Sequence, residues 1–128
     1  MLSWILNLKL DSIPFVDSIV SRYLFTPPKT QEDEILSLGK IEGNKLFFIE
    51  DISVLEITPK ISLLDKIVIF SHGNSTDIHN FYSYLDWFSN QFGIKIICYD
   101  YPGYGLTKGY PSEENCYRAA SLVISHYL

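Results

Sequence analysis

KIVIFSHGNSTD, residues 66–77, decides how this chain folds. Residues 66–70 are a short, almost wholly apolar run, the pattern of a strand buried on both faces. Ser71-His72-Gly73-Asn74 then needs a tight backbone turn, and Asp77 stands where a helix N-cap belongs. Over 77–93, Ile78, Phe81, Tyr82, Leu85, Phe88 and Phe92 recur at helical spacing, and Gly93 supplies a C-terminal stop. IKIICYD, 94–100, reads as a second buried strand. Strand, helix and strand joined by short loops make a βαβ crossover with parallel strands, and so an α/β fold.

Upstream, EILSLGKIEGNKLFFIEDI holds two strand-like runs around Glu42-Gly43-Asn44, a predicted hairpin turn. SVLEIT extends the strand character until Pro59. These runs predict an antiparallel edge beside the parallel strands. Downstream, PSEENCYRAASLVISHYL (111–128) predicts a helix capped by Ser112, with Glu113 and Glu114 complementing its dipole. An α/β fold would next return with another strand, and none follows within the 128 residues.

Residues 1–26 carry apolar side chains at near-helical spacing, interrupted at Pro14, which predicts two short helices. Thr26-Pro27-Pro28-Lys29 is a stiff, extended exit. The reading is an arm, 1–30, against a domain, 31–128. Membrane-surface attachment of the arm is the rival reading, and only Lys9 and Arg22 offer it basic charge. The N-terminal run lacks a basic residue ahead of its apolar part, as a signal peptide would require.

Hydrophobic residues make up 47% of the chain, a globular composition. The net charge of -5 comes without a basic stripe, which argues against nucleic-acid binding. Cys98 and Cys116 fall in no metal-ligand spacing, so no metal, cofactor or disulfide framework is expected. Cys98 reads as core and Cys116 as helical, in keeping with a reducing, cytoplasmic compartment.

Sites in open α/β sheets form beyond the carboxyl ends of the strands. Two loops have that position here: SHGNSTD and DYPGYGLTKGYPS. Gly73 permits the tight turn of the first, and the next amide, at Asn74, is suited to an oxyanion because it is fixed in advance. In the second, GYGLTKG departs from dinucleotide-binding glycine spacing, and Lys108 precedes Gly109, which excludes a P-loop. Ser71, His72 and Asp100 suggest a triad, but Ser71 and His72 are neighbours whose side chains diverge. The plainer reading has Ser71 and His72 shaping the loop and Asp100 accepting from backbone amides. His79 and His126 read as helix-surface or satisfied histidines.

FSHGN, then YDYPGYG, then GYPSEEN resembles the N-terminal half of an α/β-hydrolase, closest to the alpha/beta hydrolase domain-containing protein 17 family. That family comprises membrane-associated serine hydrolases that remove palmitate from proteins. LFTPPKT is similar to the proline pair ahead of its hydrolase domain. The resemblance implies a truncated α/β-hydrolase fold: a mixed, mostly parallel sheet without the nucleophile strand and everything after it. It implies that KIVIF is a central strand and that one sheet face lacks helices. It assigns His72, Gly73 and Asn74 to the oxyanion loop, and Asp100, Gly103 and Gly105 to a structural loop.

The family nucleophile lies in a G-x-S-x-G elbow, and no such motif occurs here. By family spacing the catalytic Ser, Asp and His all fall beyond residue 128, and the relatives' N-terminal cysteine cluster is absent. The chain alone is therefore expected to be inactive. Three roles are expected to compete: half of a serine (thio)esterase whose other half is encoded separately, a binding module or self-associating chain using an open sheet edge, and a gene relic.

Overall fold

The computed structural model describes residues 14–128. Its elements in chain order are α1 (Pro14–Leu24), α2 (Glu32–Leu38), β1 (Asn44–Ile49), β2 (Ile52–Ile57), β3 (Ile67–Ser71), α3 (Ile78–Phe92), β4 (Lys95–Tyr99) and α4 (Glu113–Tyr127). The first of the two expected N-terminal helices lies outside the described residues. Pro14 opens α1, where its missing N–H costs nothing.

The strands form one four-stranded sheet in the order β1-β2-β4-β3. β1 and β2 are antiparallel, β2 and β4 are antiparallel, and among the described residues β3 with β4 is the sole parallel pair. A mostly parallel sheet is therefore incorrect: the sheet is small, mixed and largely antiparallel. The hairpin does form an antiparallel edge beside the parallel pair, as expected, with β1 outermost. It inserts its second strand beside β4, and β2 becomes the central, most buried strand.

Among the described residues β3 is an open edge strand, as expected where the neighbouring nucleophile strand is missing, but its side chains, expected to be buried on both faces, are half-buried or exposed. An apolar run thus marks a strand flanked by helix and loop without showing how many strands neighbour it. The expected bare face is also incorrect. On one face Leu55, Ile57, Ile96 and Cys98 pack with Leu38 of α2 and with Ile78 and Leu85 of α3. On the other, Ile52, Val54, Ile97 and Tyr99 pack with Ala119 and Val123 of α4. The alternation along β2 and β4 divides each strand between the two cores.

The hairpin turn lies at Glu50-Asp51, not at Glu42-Gly43-Asn44. The run EILSL is helical because Glu34 accepts from the Gln31 N–H at 3.0 Å, and three acids occupy the first turn. Its Ile35 and Leu38, three apart, are buried. Gly43, at φ 87°, instead turns the chain out of α2 into β1. The true turn pairs Ile49 with Ile52 and holds Glu50 at φ 53°, an unfavourable conformation for a side-chain-bearing residue. Arg118 of α4 grips it from outside, reaching Asp51 through both guanidinium ends (2.8 and 3.3 Å) and Glu50 at 3.1 Å. The Arg118 hydrogen bonds hold the Asp51 carboxyl below its usual range.

The two longer helices follow their sequence signals. The Asp77 carboxylate accepts from the Asn80 N–H at 2.8 Å, and Gly93 ends α3 in the left-handed region at φ 60°. Ser112 caps α4 by accepting from the Asn115 N–H at 3.1 Å. Phe92, expected on the buried face of α3, is half exposed. Among the described residues no helix is long and apolar enough to cross a membrane.

Candidate functional site

β3 and β4 run parallel and end side by side, so the loops at 72–77 and 100–111 meet at one end of the sheet. His72 and Asp100 stand at the junction. Both are buried, and His72 Nε2 lies 3.4 Å from Asp100 Oδ1. The same Asp100 oxygen accepts from the Ile78 N–H at 3.0 Å and so ties the second loop to the first turn of α3. Asp100 thus binds a backbone amide, as expected. Thr107 reinforces the loop, its hydroxyl donating to the Asp100 carbonyl and accepting from the Ser53 N–H, both at 2.9 Å.

The hydrogen bonds assign the imidazole tautomer. His72 Nδ1 is 2.8 Å from the Gly73 carbonyl, which can only accept, so Nδ1 carries the proton. Nε2 then presents a lone pair to the Tyr101 N–H, at 3.4 Å, and to Asp100. Burial pushes the His72 pKa down, and the Gly73 contact and the charge of Asp77 oppose it less strongly. Burial pushes the Asp100 carboxyl up to about 7, against the opposing Ile78 hydrogen bond. The close approach is therefore not a standing ion pair, because burial disfavours charge on both partners. Below about pH 7 a protonated carboxyl faces an imidazole lone pair.

This has a measurable sign. The folded pKa of Asp100 lies above its ordinary value of 3.8, so between pH 4 and about 7 the folded chain holds more protons than the unfolded chain. Its contribution to stability falls as pH rises through that window. His72 acts oppositely, adding stability as pH rises towards its ordinary value of 6.5. Asp100→Asn keeps an acceptor for Ile78 and removes the titration. Across pH 5 to 7 the wild type should lose about 1–2 kcal/mol relative to Asp100→Asn. Urea melts of both at several pH values test this, and parallel pH profiles would refute it.

Ser71 does not join His72 and Asp100. Its hydroxyl pairs with the Tyr99 hydroxyl at 2.6 Å, so Ser71 and His72 diverge as neighbours on a strand end should. Gly103 and Gly105 both adopt positive φ, 86° and 50°. Gly103 packs against Pro111, and Gly105 packs directly on the Asp100 carboxylate.

Asn74 is held by its side chain. Its Oδ1 accepts from the Tyr104 hydroxyl at 2.8 Å and from the Thr26 N–H at 3.0 Å, and its Nδ2 donates to the Leu24 carbonyl. Thr26 and Ser75 pair through their hydroxyls at 2.6 Å, and Thr30 donates to Asp77. Residues 24–30 are thus strapped across the first loop. Sequence reading found Asn74 for its backbone and missed this role. The partners lie 30 to 50 positions away, and only the stiffness of Pro27-Pro28 hinted at a fixed path. Among the described residues, the Gly73 and Asn74 N–H groups take no part in the loop's hydrogen bonds.

A cleft of about 320 Å³ opens beside this loop. Tyr101 and the fully buried Tyr104 come from the second loop, Phe25 from the strap and Tyr117 from α4. The buried His72 and the exposed Asn74 of the first loop also line it, with Glu113 and Cys116 from α4. Burial raises the Cys116 thiol pKa, which keeps it protonated and a poor nucleophile. Among the described residues no cluster of three or more His, Cys, Asp or Glu side chains could hold a metal ion.

No protein-family model matches the chain. Among curated proteins it is similar to the "Putative alpha/beta hydrolase L404" of Acanthamoeba polyphaga mimivirus, 29% identical over 116 residues. The match covers 89% of this chain and 42% of the viral protein. The Caenorhabditis elegans "Alpha/beta hydrolase domain-containing protein aho-3" is 29% identical over 126 residues, covering 81% of this chain and 37% of the nematode protein. A shorter match of higher identity, 42% over 50 residues, is to "Alpha/beta hydrolase domain-containing protein 17C" of Xenopus tropicalis, covering 39% of this chain and 16% of that protein. The chain thus spans about two fifths, or less, of these relatives' length. Among solved structures, an esterase of the bacterial hormone-sensitive lipase family aligns with a TM-score of 0.46 at 14% identity, covering 85% of this chain and 41% of the esterase.

Proposed function

We propose that this chain, a member of the α/β-hydrolase superfamily with partial similarity to the alpha/beta hydrolase domain-containing protein 17 family, supplies the oxyanion loop of a serine acyl hydrolase acting on esters or thioesters. One observation carries the reading. The Asn74 amide lies at the carboxyl end of β3 beside a cleft, and its residue is pinned by three side-chain hydrogen bonds. A donor held in place before the reaction stabilises a developing oxyanion without reorganisation, and one such donor is worth about 10²–10³ in kcat. His72 and Gly73 shape the turn. Asp100, Gly103 and Gly105 form the loop beneath it. The nucleophilic Ser and its Asp and His belong to residues outside 1–128.

Labelling with a serine-reactive fluorophosphonate probe tests this. The chain alone should not label. A downstream-encoded polypeptide with a G-x-S-x-G elbow should label only when this chain is present. Labelling of the chain alone would place a nucleophile within it and overturn the assignment. Labelling of the companion whether or not the chain is added would remove the oxyanion role.

The open edge of β3 favours a second reading, a binding module that pairs with a separately encoded half or with a second copy. Ile61 and Leu63 stand exposed just before that strand, and Ile67 is exposed within it. The solution mass of the chain over a concentration series separates the two partners: self-pairing raises the mass without any second polypeptide.

A further inference from the structure

We propose that the cleft beside the 72–77 loop binds a quaternary or methylated ammonium group. This goes beyond the acyl-hydrolase reading and does not depend on it, because the cation would bind whether or not a nucleophile is present. The accessible walls of the cleft are aromatic: Phe25 of the strap, Tyr101 of the second loop and Tyr117 of α4. Tyr104 stands behind Tyr101 nearly perpendicular to it, at 86° and 5.9 Å, and fixes its plane. Aromatic faces carry negative quadrupole potential, and several converging on one space attract an organic cation.

The charge of the lining has the matching sign. Among the described residues no Lys or Arg lines the cleft, and Glu113 is the one carboxylate there. The Tyr117 hydroxyl donates to Glu113 Oε1 at 3.1 Å. This hydrogen bond sets carboxylate and ring side by side at the rim and makes the phenol more electron-rich. His72 is buried and donates its one ring proton to the Gly73 carbonyl, so it contributes no opposing positive charge. The Asn74 amide oxygen is already occupied by Tyr104 and Thr26. A primary ammonium, strongly hydrated, would find too few acceptors here. A methylated ammonium sheds its water more easily and fills apolar space. The volume, about 320 Å³, is at the lower end of small-molecule clefts and suits such a headgroup.

The test is a titration of the purified chain with choline, followed by amide and aromatic NMR shifts. The control ligand is 3,3-dimethylbutanol, the uncharged isostere. Choline should saturate with Kd of about 1 mM or below, shifting resonances of Phe25, Tyr101 and Tyr117, and the alcohol should bind at least tenfold more weakly. Tyr117→Leu, at an exposed position that leaves the fold intact, should weaken choline about tenfold, and Glu113→Gln by a smaller factor. Equal binding of the alcohol would make the cleft a plain apolar pocket and overturn the proposal. Absence of saturable choline binding up to 50-fold above the expected Kd, about 50 mM, would overturn it as well.

Discussion

Gly105→Ala is expected to abolish the cooperative unfolding transition of the chain, or to leave it barely detectable at room temperature. Gly105 sits at φ +50°, where side-chain-bearing residues are strained. A Cβ there would lie 2.0 Å from Asp100 Oδ2, 2.7 Å from its Cγ and 3.2 Å from Ile35 Cδ1. None of these atoms has room to retreat. Asp100 is fixed by the Ile78 amide and enclosed by His72, and Ile35 is fully buried. Left-handed strain costs about 1–3 kcal/mol and overpacking about 1–3 kcal/mol more. The sum, about 2–6 kcal/mol, reaches the lower end of the total stability of a small domain, about 5–15 kcal/mol, where a chain of this size belongs. Gly73→Ala is the matched control. Its nearest neighbour would be Thr76 Cγ2 at 3.9 Å, and Gly73 has no positive φ. Circular-dichroism melts of the two variants should differ sharply. A Gly105→Ala protein melting alongside Gly73→Ala would show that the loop is not packed on the Asp100 carboxylate.

Leu55→Ala should cost about 2–5 kcal/mol, the range for truncating a fully enclosed leucine. Leu55 is wholly buried at the centre of β2, between β1 and β4, and points into the core shared with α2 and α3. Two strands and two helices fix its surroundings, so the cavity cannot collapse. Ile67→Ala, on the exposed edge strand, removes a similar group that is 40% accessible and should cost under about 1 kcal/mol. Urea denaturation gives both values. A Leu55→Ala cost near that of Ile67→Ala would refute the assignment of β2 as the centre of the fold.

The sequence was legible where structure is local. The α3 and α4 caps at Asp77 and Ser112 and the stop at Gly93 depend on residues within four positions, and each stands where its residue type indicated. The Glu50-Asp51 turn was illegible because it lacks glycine and is held by Arg118, some 67 positions away. EILSL resembled a strand because three apolar residues in a two-turn helix look the same as alternation. The standing of β3 as an edge could not be read from KIVIF, because apolar content reports burial by helices and loops as well as by strands. At the candidate site, the turn residues His72, Gly73 and Asn74 and the pillar Asp100 were visible as a glycine turn and a strand-end acid. The tie from Asn74 to Leu24, Thr26 and Tyr104 was not, since hydrogen-bond partners far apart leave no pattern in the chain.

The strand order also governs how the chain comes off the ribosome. β2 pairs with β4 through Val54 and Tyr99, so the central strand waits for more than forty further residues before its second neighbour exists. At translation speeds of about 5–20 residues per second that wait lasts seconds, far longer than a hairpin needs to form. Throughout it, the nascent β1–β2 hairpin exposes Val54, whose covering helix α4 follows β4, and until α3 is made Leu55 on the other face is covered by α2 alone. A nascent chain whose hairpin has left the ribosome before β4 is therefore a natural client for ribosome-associated chaperones, and release of that client should coincide with emergence of β4 and α4.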